Sequence, residues 1–401
     1  MAVTVVFAVS GFLMANWLAR LPAVRDALQI TPGRLGVILL SLSIGSLLAL
    51  PLSGPVVHRL RPAPTVLGCA VASTTAMVLV GIGGSGGLGG VNTLVPALFV
   101  YGVGVGMWDV AMNVEGAEVE QLVGRAIMPW FHAGFSLGTV AGALTGAAAA
   151  AFDLALAVHL ALAAGFSLLA IVVATRFFLP VPQGSSEDRS AGSGTLAAWR
   201  EPRTILIGLM MLGMALAEGS ANDWIALGLV DGYGLPHAAG AVGLGLFLTA
   251  MTSMRLAGPV VLARFGRVRV VRGGALLVLA SLGVYVAGAE LADPAAGLAA
   301  VNTLALLLAG AAVVGWGIGA ALGFPIGISA ASDTPARSAA RVSVVTSIGY
   351  VAFLAGPPIL GLVADRVGIV RSMLGVSLAV ALTLICAGAA RAVEPDGDLR
   401  R

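Results

Sequence analysis

The chain contains no lysine: all 22 of its basic residues are arginine. It also has only two cysteines, four histidines and 10% charged residues. Each shortage excludes something. Soluble domains carry roughly 25% charged residues, so this chain lacks the polar surface a soluble fold of its length needs. A formal net charge of +3, scattered along the sequence, leaves no basic patch for nucleic acid. Cys69 and Cys386 lie in separate apolar runs, which rules out a disulfide framework and a thiolate metal site and marks both as small packing residues. There is no H-E-x-x-H element for a metal and no G-x-x-x-x-G-K-[ST] loop for direct use of ATP. No cofactor is expected.

What the chain does have is apolar length. It is 58% hydrophobic with 55 glycines, and its mean hydropathy is +1.00. Small residues in this abundance suit transmembrane helices packed closely together. Spans of ~20 apolar residues fall near 2–19, 34–53, 64–83, 92–114, 131–151 and 155–176. Six more fall near 203–226, 239–258, 271–289, 300–323, 342–364 and 369–390. The apolar start reads as the first span rather than a cleavable leader, because it has no basic n-region. Between the two sets runs PVPQGSSEDRSAGSG, a polar linker. The expected architecture is an all-α membrane protein of twelve helices in two six-helix bundles. Its parts are 1–178, a linker at 179–202, a second bundle at 203–390 and a tail at 391–401.

Arginine placement sets the orientation. With both termini inside, sixteen arginines fall on the cytoplasmic side and five on the other, with Arg255 inside a span. The first outer loop, with Arg20, Arg25 and Arg34, runs against this count. The halves also repeat weakly. Ser53–Val57 resembles Ala257–Val261, Ala15–Ala19 resembles Asn222–Ala226, and Gly102-x-Gly104-x-Gly106 resembles Gly315-x-Gly317-x-Gly319. Two parallel bundles with a solute site between them follow from that order. The GxGxG runs follow no strand and lack the GxGxxG spacing, so they predict close helix packing, not a nucleotide site.

Gly102–Glu120 holds the main candidate site. Asp109, Asn113, Gly116 and Glu120 share one helical stripe. A carboxylate within a span is costly and turns to a bundle interior or a water-filled cavity. Asp109 is therefore expected to bind solute or proton, with Asn113 as its neighbour, while Glu115, Glu118 and Glu120 lie beyond the hydrocarbon. Glu218 and Asn222, at i and i+4 in the seventh span, offer a second protonatable group, an arginine partner or a marker of the outer mouth. Asn16 and His132 join the candidates for solute or proton binding. Arg255 either pairs with Asp109 or reaches the headgroups. Trp17 and Trp224 are expected at the membrane interface, and His58, His159 and His237 at loop or headgroup level.

At this point the residues resemble the major facilitator superfamily of secondary transporters, over nearly the whole chain. Gly54, His58, Arg59 and Arg61 stand where that family carries G-x-x-x-D-R-x-G-R, and Gly258, Arg264, Gly266 and Arg267 stand in the matching later loop. The resemblance implies a cytoplasmic gate there, held by an acid that both copies lack: His58 and Ala263 occupy its place. Asp365-Arg366-x-Gly368 is similar to a fragment of the same motif, but it falls on the outer side and reads as a chance match. A narrower resemblance is to the fucose-permease-like branch and its YbjJ-like inner-membrane group. It is carried by Trp108–Asn113, by Phe131-His132-x-x-Phe135-Ser136-x-Gly138, and by Gly349-Tyr350 with Gly356-Pro357-Pro358. There the acid matched by Asp109 serves sugar binding and proton coupling, but the branch's acid in the first span has no counterpart near Asn16.

The function this supports is a monomeric secondary transporter of the inner membrane, not an enzyme. It moves a small polar solute by alternating access, a sugar-like one among the candidates, with proton symport as one mechanism. A drug or metabolite exporter of the same fold is the alternative, and an intramembrane enzyme is the less favoured class.

Overall fold

The computed structural model describes residues 1–124, 127–179, 195–292, 302–333 and 337–392. Twelve helices in it have the length and apolarity to cross a membrane. The first bundle comprises α1 (Ala2–Leu28), α2 (Pro32–Leu60), α3 (Pro62–Gly84), α4 (Val91–Val123), α5 (Met128–Ala151) and α6 (Leu156–Thr175). The second comprises α7 (Pro202–Tyr233), α8 (His237–Phe265), α9 (Arg267–Glu290), α10 (Thr303–Ala331), α11 (Ser338–Val367) and α12 (Ile369–Ala390). Most of the linker lies outside the described residues. We call the end of the bundle that carries it the linker end, and the opposite end the far end.

Local sequence sets these boundaries. Proline opens α2, α3 and α7 within the first turn, where its missing N–H costs no helical bond. Thr31 caps α2 by accepting from Arg34 N at 3.3 Å, and Asn302 caps α10 by accepting from Leu304 N at 2.9 Å. α1 breaks after Leu18 and resumes at Leu21. The Arg20 side chain in that break is buried and donates to the Leu154 carbonyl at 2.9 Å.

Packing follows the glycines. A Cβ on Gly102 would overlap the Leu42 carbonyl, and one on Gly106 would sit 2.8 Å from the Ser46 carbonyl, so α4 rides directly on the α2 backbone. Gly104 faces Ser73 of α3 instead. In the second bundle the faces are exchanged: Gly315 and Gly319 approach α9, and Gly317 approaches the Phe247 carbonyl of α8. The sequence match pairs Gly102 with Gly315, but in space Gly104 takes that part. Residues two apart point ~200° away from each other, so a two-residue slip swaps neighbours. The bundles meet along two seams, α2 with α11 and α5 with α8.

Several burial expectations change. Trp17 and Trp224 are core residues at 0% and 1% exposure, not interfacial anchors. His159 is buried rather than at headgroup level, and its Nε2 lies 2.8 Å from Asn16 Oδ1. Glu115 is buried as well, because α4 runs on as a helix to Val123 and the chain after α6 folds back over it. Its carboxylate accepts from Leu179 N at 2.8 Å. Glu120 accepts from Ile127 N and Met128 N, at 2.7 and 2.6 Å, and so holds the start of α5. Cys69 and Cys386 are buried packing residues, as expected.

Candidate functional site

Asp109 is an exposed carboxylate in the middle of an apolar helix. Asn113 sits one turn along, donating to the Asp109 carbonyl at 2.8 Å and lying 3.4 Å from its Oδ1. Among the described residues no arginine or histidine pairs with Asp109. Across the gap between the bundles, Tyr350 of α11 lies within electrostatic reach of it. The Tyr350 ring is 6.3 Å from that of Phe353, centroid to centroid. Phe353 in turn lies over Gly219 of α7, where a Cβ would meet its ring at 2.9 Å. One aromatic ring of the other half, Tyr350, thus lies near Asp109, with Phe353 behind it toward α7.

Arg255 does not reach Asp109. Its Nη2 lies 2.8 Å from both oxygens of Glu218, and its Nε donates to the Ala321 carbonyl at 3.2 Å. That carbonyl is free because Pro325, four residues on, has no N–H to give it, and α10 turns at this point. The pair sits between α7, α8 and α10, with side-chain exposures of 28% for Arg255 and 15% for Glu218. His132 of α5 faces this group: it feels the Arg255 charge and packs edge-on against Phe7 at 5.1 Å.

Two other candidates sit elsewhere. Asn16 is fully buried, bonded to the Phe12 carbonyl, Thr145 and His159 within the first bundle, and does not open to the gap. Asn222 is buried with its Oδ1 unpartnered. The next residue, Asp223, carries more meaning than the sequence reading gave it. It lies one turn from Gly219 on the same face of α7, is half-buried, and has no ion-pair partner among the described residues. It occupies the position of Asn16 in the internal repeat.

The gate residues divide. Gly54 has open space where a Cβ would be, and Arg59 is exposed. A Cβ on Gly258 would lie 2.9 Å from the end of the Leu322 side chain, which would have to shift. Arg264 lies 5.5 Å from the Phe265 ring centroid. Arg267 donates to Asp333 at 2.6 Å and to Ser329 at 2.8 Å, and Arg203 donates to the other Asp333 oxygen at 2.9 Å. Asp333, just past the end of α10, is thus the acid that pairs with Arg267 and Arg203. Burial works to raise the Asp333 carboxyl, but hydrogen bonds from Arg267 and Arg203 outweigh it and hold the group below the ordinary carboxylate range. The cluster therefore stays charged at neutral pH and acts as a fixed brace rather than a proton sensor.

Among the described residues, the ion pairs and most of the hydrogen bonds between the bundles are at the far end, and none of these residues was a site candidate in the sequence. Both Arg25 amino groups bond the Asp231 carboxylate, His237 Nε2 lies 2.8 Å from Asp26, and Asp365 accepts from Gly33 N at 2.9 Å and Thr31 at 3.1 Å. Ser43 donates to the Phe353 carbonyl at 3.1 Å nearer the middle. Among the described residues, no hydrogen bond or ion pair crosses between the bundles at the linker end. Arg20 and Arg25 also explain why the first outer loop ran against the arginine count: both serve tertiary contacts there.

Comparison with known proteins gives this two-bundle fold its family. A family model described as Major Facilitator Superfamily matches residues 2–349. An uncharacterized transporter y4wD of Sinorhizobium fredii is 30% identical over 385 residues, covering 95% of each chain. An uncharacterized MFS-type transporter of Yersinia pestis is 30% identical over 393 residues, covering 96% of this chain and 94% of that one. Among solved structures, the nucleoside transporter NupG superposes with a TM-score of 0.73 at 15% identity, over 97% of both chains. A bacterial homologue of the lysosomal transporter Spinster superposes with a TM-score of 0.69 at 12% identity, over 98% of this chain and 96% of that one. On the family match and the two relatives, the chain belongs to the Major Facilitator Superfamily.

Proposed function

We propose that this transporter carries a small hydroxyl-rich solute, a sugar or a nucleoside, and that Asp109 binds it and couples its movement to protons. The single observation behind this reading is Asp109: an exposed carboxylate in mid-helix, hydrogen-bonded by Asn113 and without a cationic partner among the described residues. Carboxylate oxygens and an amide accept and donate to adjacent hydroxyls, and the Tyr350 and Phe353 rings offer an apolar face for a sugar or a base. The nucleoside carried by NupG and the sugar of the fucose-permease-like branch are both of this class. The linker, Arg59, Arg267 and both termini are assigned to the cytoplasm by their arginines.

Two measurements test this. In a thermal-shift screen of purified protein, sugars or nucleosides should raise the melting temperature, and Asp109→Ala should remove the effect. Stabilisation by lipophilic cations alone would favour the exporter reading. For orientation, an impermeant thiol reagent added outside should label a cysteine placed at Ala27 or Leu291 and spare one at Arg200, in a cysteine-free background. Labelling at Arg200 reverses the assignment.

A further inference from the structure

The chain turns the same tight corner three times. α2 passes to α3 through Arg61 at φ 73°, ψ 162°, α8 to α9 through Gly266 at φ 73°, ψ 158°, and α11 to α12 through Gly368 at φ 83°, ψ 155°. In each, one residue with positive φ ends one helix and starts the next, a conformation suited to glycine. At the two linker-end corners the loop motif has lost its acid, with His58 and Ala263 in its place. At the far-end corner the acid is present: Asp365-Arg366-Val367-Gly368 has the motif's order on the motif's backbone. This likeness of sequence is therefore not a chance match.

Asp365 uses its position across the seam. Its carboxylate accepts from the Gly33 backbone N–H at 2.9 Å and from the Thr31 hydroxyl at 3.1 Å. Those are the first groups of α2 in the other bundle, whose opening N–H groups are unsatisfied within the helix and carry the positive end of its dipole. The surrounding chain makes room for this contact. A Cβ on Gly33 would overlap Asp365 itself, one on Gly36 would overlap the Pro357 carbonyl, and one on Gly361 would sit 2.5 Å from the Pro32 carbonyl. The helix ends thus approach to backbone contact only where side chains are absent.

We infer that Asp365 is the positioning residue of the far-end gate: the acid of the loop motif works on the opposite face from the one the family motif implies. A carboxylate capping the partner bundle's helix holds the far end shut, reinforced by Arg25–Asp231 and Asp26–His237. Opening that end breaks a charge-assisted bond and uncaps α2, so the state closed there and open at the linker end is favoured. The inference needs only alternating access, not any particular solute or the role of Asp109.

The test reads the gate directly and needs no solute. Spin labels at Ala27→Cys and Leu291→Cys, one in each bundle at the far end, report its opening by pulsed electron paramagnetic resonance. Cys69 and Cys386 are replaced by alanine. In detergent or nanodiscs the wild-type background should show one short-distance population. Asp365→Ala should move the ratio of long to short distances roughly tenfold or more toward long, as expected for losing hydrogen bonds to a charged acceptor. Gly33→Ala, which displaces the carboxylate from the other side, should move it in the same direction. Asp365→Asn, which can still accept one bond, should shift it less than alanine. A second pair within the first bundle, Ala27→Cys and Asn92→Cys, should not change, which separates gating from misfolding. An unchanged cross-bundle distribution in Asp365→Ala, with the within-bundle distance intact, overturns the assignment.

Discussion

Asp109→Asn is expected to abolish accumulation driven by a pH gradient while leaving solute exchange largely in place. The amide keeps the size and hydrogen bonding of the carboxyl but cannot carry a proton. Because Asp109 is exposed and has no cationic partner among the described residues, it can take a proton from one side and release it to the other as the bundles rock. Asp109→Ala removes the hydrogen bonds too. It should weaken solute binding by about tenfold or more, in line with ~1.5–3 kcal/mol for a bond to a charged group. The measurement is uptake and counterflow in proteoliposomes with and without an imposed gradient. Accumulation that persists in Asp109→Asn removes Asp109 from coupling. The role then passes to Asp223, a half-buried carboxylate of the seventh span with no ion-pair partner among the described residues, rather than to Glu218, whose oxygens are both held by Arg255.

The second large effect is expected at that ion pair. Glu218→Gln leaves the Arg255 guanidinium inside the second bundle without a counter-charge, with only neutral oxygens, the new amide and the Ala321 carbonyl, to accept from it. An uncompensated charge in a span is expensive. Truncating one member of a desolvated pair costs roughly 2 kcal/mol or more, much of it from the stranded partner. Purified Glu218→Gln should therefore melt several degrees below wild type and express poorly. Glu218→Gln combined with Arg255→Gln, which removes both charges, should recover most of that loss. Equal melting of Glu218→Gln and wild type would mean that water already solvates Arg255 well enough to make the pair unimportant. The double variant also separates stability from transport. If it is stable but inactive, the pair serves the moving carrier as well as the fold, by facing His132 across the α5–α8 seam.

The two predictions draw on residues that the sequence exposed unequally. Asp109 was visible at once, because a single acid in an apolar helical run is costly wherever the helix packs. Asn113 was visible because helical periodicity alone puts it one turn along. The Glu218–Arg255 pair was visible only in part: the sequence offered Glu218 an arginine partner but gave Arg255 to Asp109 or the headgroups, since the members lie on different helices and their depths depend on tilt and on the break in α10. Asp223 was hidden by its neighbours: adjacent to Asn222 and Trp224, it reads as one more polar residue until Gly219 and Phe353 show which face it shares.

By itself the sequence determined the twelve helices, the membrane setting, the two-bundle plan and the packing role of the glycines. These follow from local hydropathy, helical period and residue size, which act over one or two turns. Only the tertiary structure decided which bundle faces meet, and a shift of two residues along a helix was enough to exchange the neighbours of Gly102 and Gly104. It also decided the gate. Arg25 and Asp231 lie 206 residues apart, and Gly33 and Asp365 lie 332 apart. No local preference couples such distant positions. The second pairing exists because packing along α2 and α11 brings a helix N-terminus against a carboxylate, and the missing side chains of Gly33, Gly36 and Gly361 let the backbones come close enough to bond.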